Sequence, residues 1–200
     1  MSLEDRLRQV PVVDFDAARF AHRAVKEGLL DVAYAHADSP LGPLLLAATP
    51  RGLACVSYSG FRSEDETLER LAARLSPRVI EAPAQLDDVR RQLDDYFSGR
   101  RRSFELPIDW ALVGEFGRRV LGRTAAIPYG SVATYGDVAR EIGSPRAARA
   151  TGNALGANPM PIVVPCHRVV ASGGKVGGYT GGLERKRLLL TLERGGGRLS

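Results

Sequence analysis

The sequence predicts an α/β chain of two domains: an antiparallel sheet with helices, then a mainly helical part that carries a helix-turn-helix. Three observations point there. Residues 28–60 read as strands separated by turn sequences, and residues 64–97 hold two amphipathic helical patterns. The charge also changes sign at mid-chain, from net −3 over residues 1–100 to net +8 over residues 101–200. A chain of 200 residues can bury one large core or two small ones. Its 44% hydrophobic and 26% charged content is that of an ordinary folded protein and excludes a disordered chain, a collagen repeat and a coiled coil. No run approaches the roughly 18–20 apolar residues of a membrane span. The opening MSLEDRLRQVPVVDFD puts charges where a secretion signal needs an apolar stretch. The expectation is a cytoplasmic protein with no membrane partner.

Each element has a local reason. Residues 1–27 read as an N-terminal extension, helical around 17–26. DVAYAHAD, PLLLAAT and GLACVSYS form a meander, because Ser39-Pro40-Leu41-Gly42 and Thr49-Pro50-Arg51-Gly52 are good turn sequences. Leu68, Leu71 and Leu75 share one face of a helix at 64–75, and Leu86, Val89, Leu93, Tyr96 and Phe97 do the same at 85–97. Residues 104–110 read as an extended lead into the basic half, so the expected domains are 28–105 and 106–200. Residues 111–125 read as a helix ended by Pro128-Tyr129-Gly130. Short helices at 134–142 and 146–155, broken by Gly143-Ser144-Pro145, make the helix-turn-helix outline. The second of these is small-residued apart from Arg146 and Arg149, which suits close approach to a groove or tight helix packing. A basic half of this kind suggests an anionic partner, nucleic acid first.

Chemistry concentrates near residue 166. There are two cysteines, Cys55 and Cys166, and three histidines, His22, His36 and His167. They offer neither a disulfide framework nor a zinc-ligand spacing, so no metal is expected. Cys55, in the third strand, reads as a core thiol. Asn158-Pro159-Met160-Pro161 leads through three apolar residues to Pro165-Cys166-His167. A free thiol has a pKa of about 8.5 and needs a base or a positive field to act as a nucleophile. His167 can supply either, directly or through a bridging water, because neighbouring side chains on an extended segment diverge. A buried cysteine beside a satisfied histidine remains the alternative. The glycine-rich run 173–182 has neither the Walker A nor the dinucleotide spacing. It suits a backbone lying against a flat ligand, with Tyr179 as a donor. A helix at 183–194, stopped by Gly195, carries Glu193 in its last turn. A carboxylate is disfavoured there by the helix dipole, and a buried histidine partner would account for it.

Pro165-Cys166-His167-Arg168-Val169 resembles the acceptor motif of the O6-alkylguanine-DNA alkyltransferases, the methylated-DNA–protein-cysteine methyltransferases. Further matching motifs run in order: Ile127-Pro128-Tyr129-Gly130 with Thr134-Tyr135, Arg146-Ala147-Ala148-Arg149-Ala150, Asn158-Pro159, and Gly178-Tyr179-Thr180-Gly181-Gly182-Leu183. The resemblance spans about residues 127–193 and implies a ribonuclease-H-like N-terminal α/β domain ahead of it. One departure is Ala157, where the family often has glycine before the asparagine.

The resemblance implies that Cys166 takes the alkyl group from guanine O6 in one in-line displacement. His167 draws off the thiol proton through a water, Glu193 orients His167, Asn158 braces the turn, and Tyr179 helps neutralise the leaving guanine. Arg149 fills the gap left by the extruded base and Tyr135 crowds the 3′ phosphate. Arg146, Thr134, Ala150 and Gly152 complete a minor-groove contact, while Thr180, Val169, Leu155 and Pro161 line the base pocket with Tyr179. The partner implied is duplex DNA bearing O6-alkylguanine, with O4-alkylthymine a further candidate substrate. The protein would act as a monomer, without cofactor, and be spent after one event, because a thioether is not hydrolysed by water. Two competing readings are a non-catalytic lesion-binding protein and a Cys-His hydrolase. Related non-catalytic proteins lack the acceptor cysteine, and nothing in the sequence indicates an oxyanion hole.

Overall fold

The computed structural model describes residues 16–60 and 62–195. Of the expected extension, residues 1–15 lie outside the described residues. The remainder forms helix α1 (Ala17–Lys26), started by the Asp16 carboxylate, which accepts from the Arg19 backbone N–H at 2.9 Å.

The meander is present as strands β1 (Val32–Ala37), β2 (Leu44–Thr49) and β3 (Gly52–Tyr58), paired antiparallel. The second turn depends on Gly52 at φ +133°, where a Cβ would collide with the Pro107 carbonyl. Helix α2 (Glu64–Arg74) begins with a reciprocal cap between Ser63 and Glu66. A fourth strand, β4 (Val79–Glu81), then adds in parallel to β1, giving the order β3-β2-β1-β4. This strand is missing from the sequence reading: three residues between Pro77 and Pro83 are too few for a strand period to show. Helix α3 (Asp87–Phe97) follows a 3-10 turn at Pro83–Leu86.

The runs Leu44–Ala47 and Leu53–Val56 are buried throughout because both faces of the sheet are covered. Val32, Ala47 and Cys55 pack with Leu71 of α2 on one side. On the other side Leu46, Val56, Leu93, Tyr96 and Phe97 enter one core with Val120, Leu121, Ile162, Leu189 and Leu192 of the basic half. A single core thus runs through both expected domains. The lead segment is pinned to β3, since the Leu53 N–H donates to Pro107 O and the Asp109 N–H to Leu53 O, both at 2.9 Å.

The helix expected from residue 111 begins later, as α4 (Glu115–Ala125), because Trp110–Leu112 forms a 3-10 turn capped by Asp109 and Gly114 starts the helix proper. The helix-turn-helix is α5 (Tyr135–Glu141) and α6 (Ala148–Gly156), both shorter than expected. Thr134 caps α5, receiving from the Asp137 N–H while donating to the Asp137 carboxylate. Two strands of two residues, β5 (Ala133–Thr134) and β6 (Val169–Val170), pair in parallel and were not expected. They tie the start of the helix-turn-helix to the segment that follows Cys166. Helix α7 (Leu183–Gly195) closes the described chain. Among the described residues no helix is long and apolar enough to cross a membrane.

Candidate active site

Pro165 sets the local backbone. Its φ of −80° and ψ of 62° place it at the centre of an inverse γ-turn, with the Cys166 N–H donating to Val164 O at 2.8 Å. Cys166–Arg168 then form a 3-10 turn rather than the extended segment expected. Just upstream, Ile162 is buried at φ 73°, a left-handed conformation that a β-branched residue rarely adopts. Asn158 holds this path together. Its Oδ1 accepts from the Met160 N–H at 3.0 Å, and its Nδ2 donates to Val164 O at 2.9 Å and to Cys166 Sγ at 3.1 Å.

Behind the thiol lies a buried polar cluster. His167 Nε2 stands 2.9 Å from Glu193 Oε1, and both side chains are buried. Glu193 also receives the Arg168 guanidinium (Nε at 2.9 Å, Nη2 at 2.9 Å), the Tyr96 hydroxyl at 2.8 Å and the Gly130 N–H at 3.2 Å. Burial opposes its ionisation, but the hydrogen bonds from His167 and Arg168 outweigh that and hold Glu193 at about 2. Burial also lowers the pKa of His167, so the imidazole is neutral. With Glu193 ionised, the proton of that neutral ring sits on Nε2, and Nδ1 carries the free lone pair. Nδ1 is buried and has no hydrogen-bond partner among the described residues. His167 therefore spends its one protein contact on Glu193 and not on the thiol.

Cys166 is not a resting thiolate. Burial pushes its pKa up to about 11, against the opposing pull of Asn158, Lys186 and two backbone N–H groups. Lys186 is itself fully buried, donating to Val169 O at 2.6 Å and Gly178 O at 3.0 Å, and desolvation lowers it to about 8.

The sulfur borders a cavity of about 250 Å³ lined by Tyr135, Gly152, Leu155, Gly156, Gly178, Tyr179 and Thr180. The structure so gathers Leu155, Tyr179 and Thr180 around Cys166, with Thr180 tied to Gly156 O at 2.6 Å. It places two expected pocket residues elsewhere. Val169 is fully buried beneath the cavity, because β6 turns it into the core, and Pro161 lines a separate small cleft with Cys55 and Pro159. Of the residues expected at DNA, Arg149 and Ala150 stand exposed on the first turn of α6, and Arg146 is exposed in the turn before it. Thr134 instead spends its hydroxyl on capping α5. Tyr135 and Gly152 form the cavity wall, and the Tyr135 hydroxyl reaches Gly178 O at 3.3 Å.

Sequence reasoning missed Arg168, Tyr96, Gly130, Lys186 and Tyr58. Arg168 and Gly130 lay inside quoted motifs without a role. A glycine at 130 does have a visible reason: its φ is +76°, and a Cβ there would press on Glu193 O at 3.1 Å. Tyr96 and Tyr58 come from the other half of the chain, and no local pattern announces their reach.

Residues 32–110 match the family model for the ribonuclease-like domain of 6-O-methylguanine DNA methyltransferase, and residues 115–195 match that for its DNA binding domain. A methylated-DNA–protein-cysteine methyltransferase of Mycolicibacterium paratuberculosis is 43% identical over 166 residues, covering 82% of this chain and 93% of the relative. One from Methanosarcina acetivorans is 39% identical over 161 residues, covering 80% and 97%. A crystal structure of Mycobacterium tuberculosis OGT in complex with DNA is similar at a TM-score of 0.72 and 38% identity, covering 83% of this chain and 95% of that one. With both halves matched and the relatives covered almost end to end, the chain belongs to the 6-O-methylguanine DNA methyltransferase family.

Proposed function

We propose that this protein repairs duplex DNA by moving the alkyl group of O6-alkylguanine onto its own Cys166, once per molecule. The observation that carries the reading is the position of Cys166 Sγ. Cys166 borders a cavity beside the helix-turn-helix, and the residue next to it, His167, is a buried imidazole whose Nδ1 has no hydrogen-bond partner among the described residues. In the transfer the sulfur attacks the saturated alkyl carbon and an S–C bond forms. The C–O6 bond breaks and its electron pair passes to the purine oxygen, while the thiol proton leaves through a bridging water to His167 Nδ1. Glu193 then faces an imidazolium, which its carboxylate stabilises. Tyr179 donates a hydrogen bond to the purine as negative charge develops on it.

The damaged base has to leave the stack to reach the cavity. Arg149 is exposed on the first turn of α6, in position to fill the vacated space, with Arg146 nearby for phosphate. The small residues of α6 suit a minor groove, whose degenerate edge pattern implies little sequence preference. The product thioether has no route back to a thiol, so a single turnover follows, and the acting unit is one monomer. The domains act as 28–105 for scaffold and 106–200 for DNA and chemistry.

Intact-mass measurement tests the reading. After incubation with duplex DNA containing O6-methylguanine, each protein gains the mass of one methylene, on the peptide holding Cys166. Cys166→Ser gains none and still binds the duplex. An unchanged mass, or product in excess of protein, overturns the proposal. The same assay on O4-methylthymine duplex decides the second substrate.

A further inference from the structure

The hydroxyls of Tyr58 and Tyr179 lie 2.7 Å apart, although Tyr58 ends β3 in the N-terminal half and Tyr179 lines the cavity of the C-terminal half. Tyr58 is 3% exposed and does not border the cavity that holds Cys166. Its ring is fixed from above by the Arg185 guanidinium, 4.8 Å from the ring centroid. That guanidinium is itself held by Leu41 O at 2.8 Å and Gly181 O at 3.0 Å. The two phenols meet only because residue 181 is glycine: a Cβ there would fall 2.6 Å from Tyr58 Cε2 and 2.7 Å from Tyr179 Cε1.

Two phenols joined by one hydrogen bond share one proton and leave one to spare. If Tyr179 donates, the spare proton sits on Tyr58, away from the cavity. If Tyr58 donates, the spare proton sits on Tyr179, where a bound purine can accept it. A ligand with an acceptor atom therefore selects the second arrangement. In that arrangement the bond from Tyr58 withdraws electron density from the Tyr179 oxygen and makes its remaining O–H a stronger donor.

We infer that Tyr58 is a positioning residue of the alkyl transfer: it donates to Tyr179, aims the Tyr179 proton into the cavity and strengthens it as a donor to the departing purine. The inference rests on the reading above, in which Tyr179 faces the extruded base. Burial raises the pKa of both phenols, so both keep their protons at neutral pH and the chain stays intact there.

The test is single-turnover kinetics on the full-length protein. With O6-methylguanine duplex, Tyr58→Phe lowers the limiting transfer rate about fivefold, the worth of one modest hydrogen bond. It leaves the DNA concentration for half-maximal rate unchanged. Against free O6-benzylguanine the loss is similar, and it shrinks for the 8-bromo derivative, whose purine departs as a weaker base. Tyr179→Phe is slower than wild type, and adding Tyr58→Phe to it changes nothing further. A packing role would slow both backgrounds equally and ignore the leaving group, and that outcome overturns the inference. A Tyr58→Phe protein at wild-type rate overturns it while leaving the role of Tyr179 standing. A Tyr179→Phe protein at wild-type rate removes the base-facing role of Tyr179, and Tyr58 with it. A wild-type protein that transfers no alkyl group fails at the function itself.

Discussion

Glu193 gathers donors from four other residues: His167, Arg168, Tyr96 and Gly130. Its folded pKa of about 2 lies below the ordinary 4.5, so the stability it contributes is complete above about pH 4.5 and is lost as pH falls toward 2. His167, held neutral by burial, adds a loss that begins below its ordinary 6.5. Urea unfolding followed from pH 7 to pH 3 should therefore show a falling midpoint. Glu193→Gln should lower stability at pH 7 by about 3 kcal/mol, because it leaves Arg168 buried beside a neutral amide, and should flatten the loss below pH 4.5. Much of this cluster was legible. The order Asn158, Cys166, His167 stood in the motifs, and Glu193, a carboxylate at the wrong end of a helix, asked for a partner. Arg168 was not legible as a second partner, because a motif shows which residues occur and not which way their side chains turn.

Helix α6 offers Arg149 to solvent on its first turn while Gly152, Leu155 and Gly156 from the same helix line the cavity. In the proposed function this one element couples DNA contact to base capture. Arg149→Ala should slow repair of O6-methylguanine in duplex DNA by more than about tenfold, since unstacking costs a few kcal/mol. Reaction with free O6-benzylguanine should stay within about twofold of wild type, and stopped-time mass spectrometry on both substrates checks the contrast. Long periodic elements such as α2, α3 and α7 were readable because their apolar spacing repeats over several turns. β4, β5 and β6 hold two or three residues each and were not. They exist because of the strands they pair with, which is a tertiary fact without a local trace. The 3-10 turn at Cys166 escaped for the same reason, because Pro165 and Asn158 shape it together.

Across the whole molecule the two halves share one core and the strap from Pro107 to Asp109. They should unfold together. Trp110, the single tryptophan, sits at the junction, so its fluorescence and the far-ultraviolet circular dichroism should report one coincident urea transition. Two separated transitions would mean that the halves are independent units. The two family domains matched at 32–110 and 115–195 meet where the charge changes sign, and one core crosses that boundary. The depth at which the sulfur lies also governs how the stock of protein is used. Burial pushes the thiol well above the ordinary cysteine range, so far fewer copies carry a thiolate at pH 7 than the few per cent of an unperturbed cysteine. If each molecule acts once, as proposed, burial of the sulfur keeps unspent copies from peroxides and stray electrophiles in solution and reserves them for a lesion that enters the cavity.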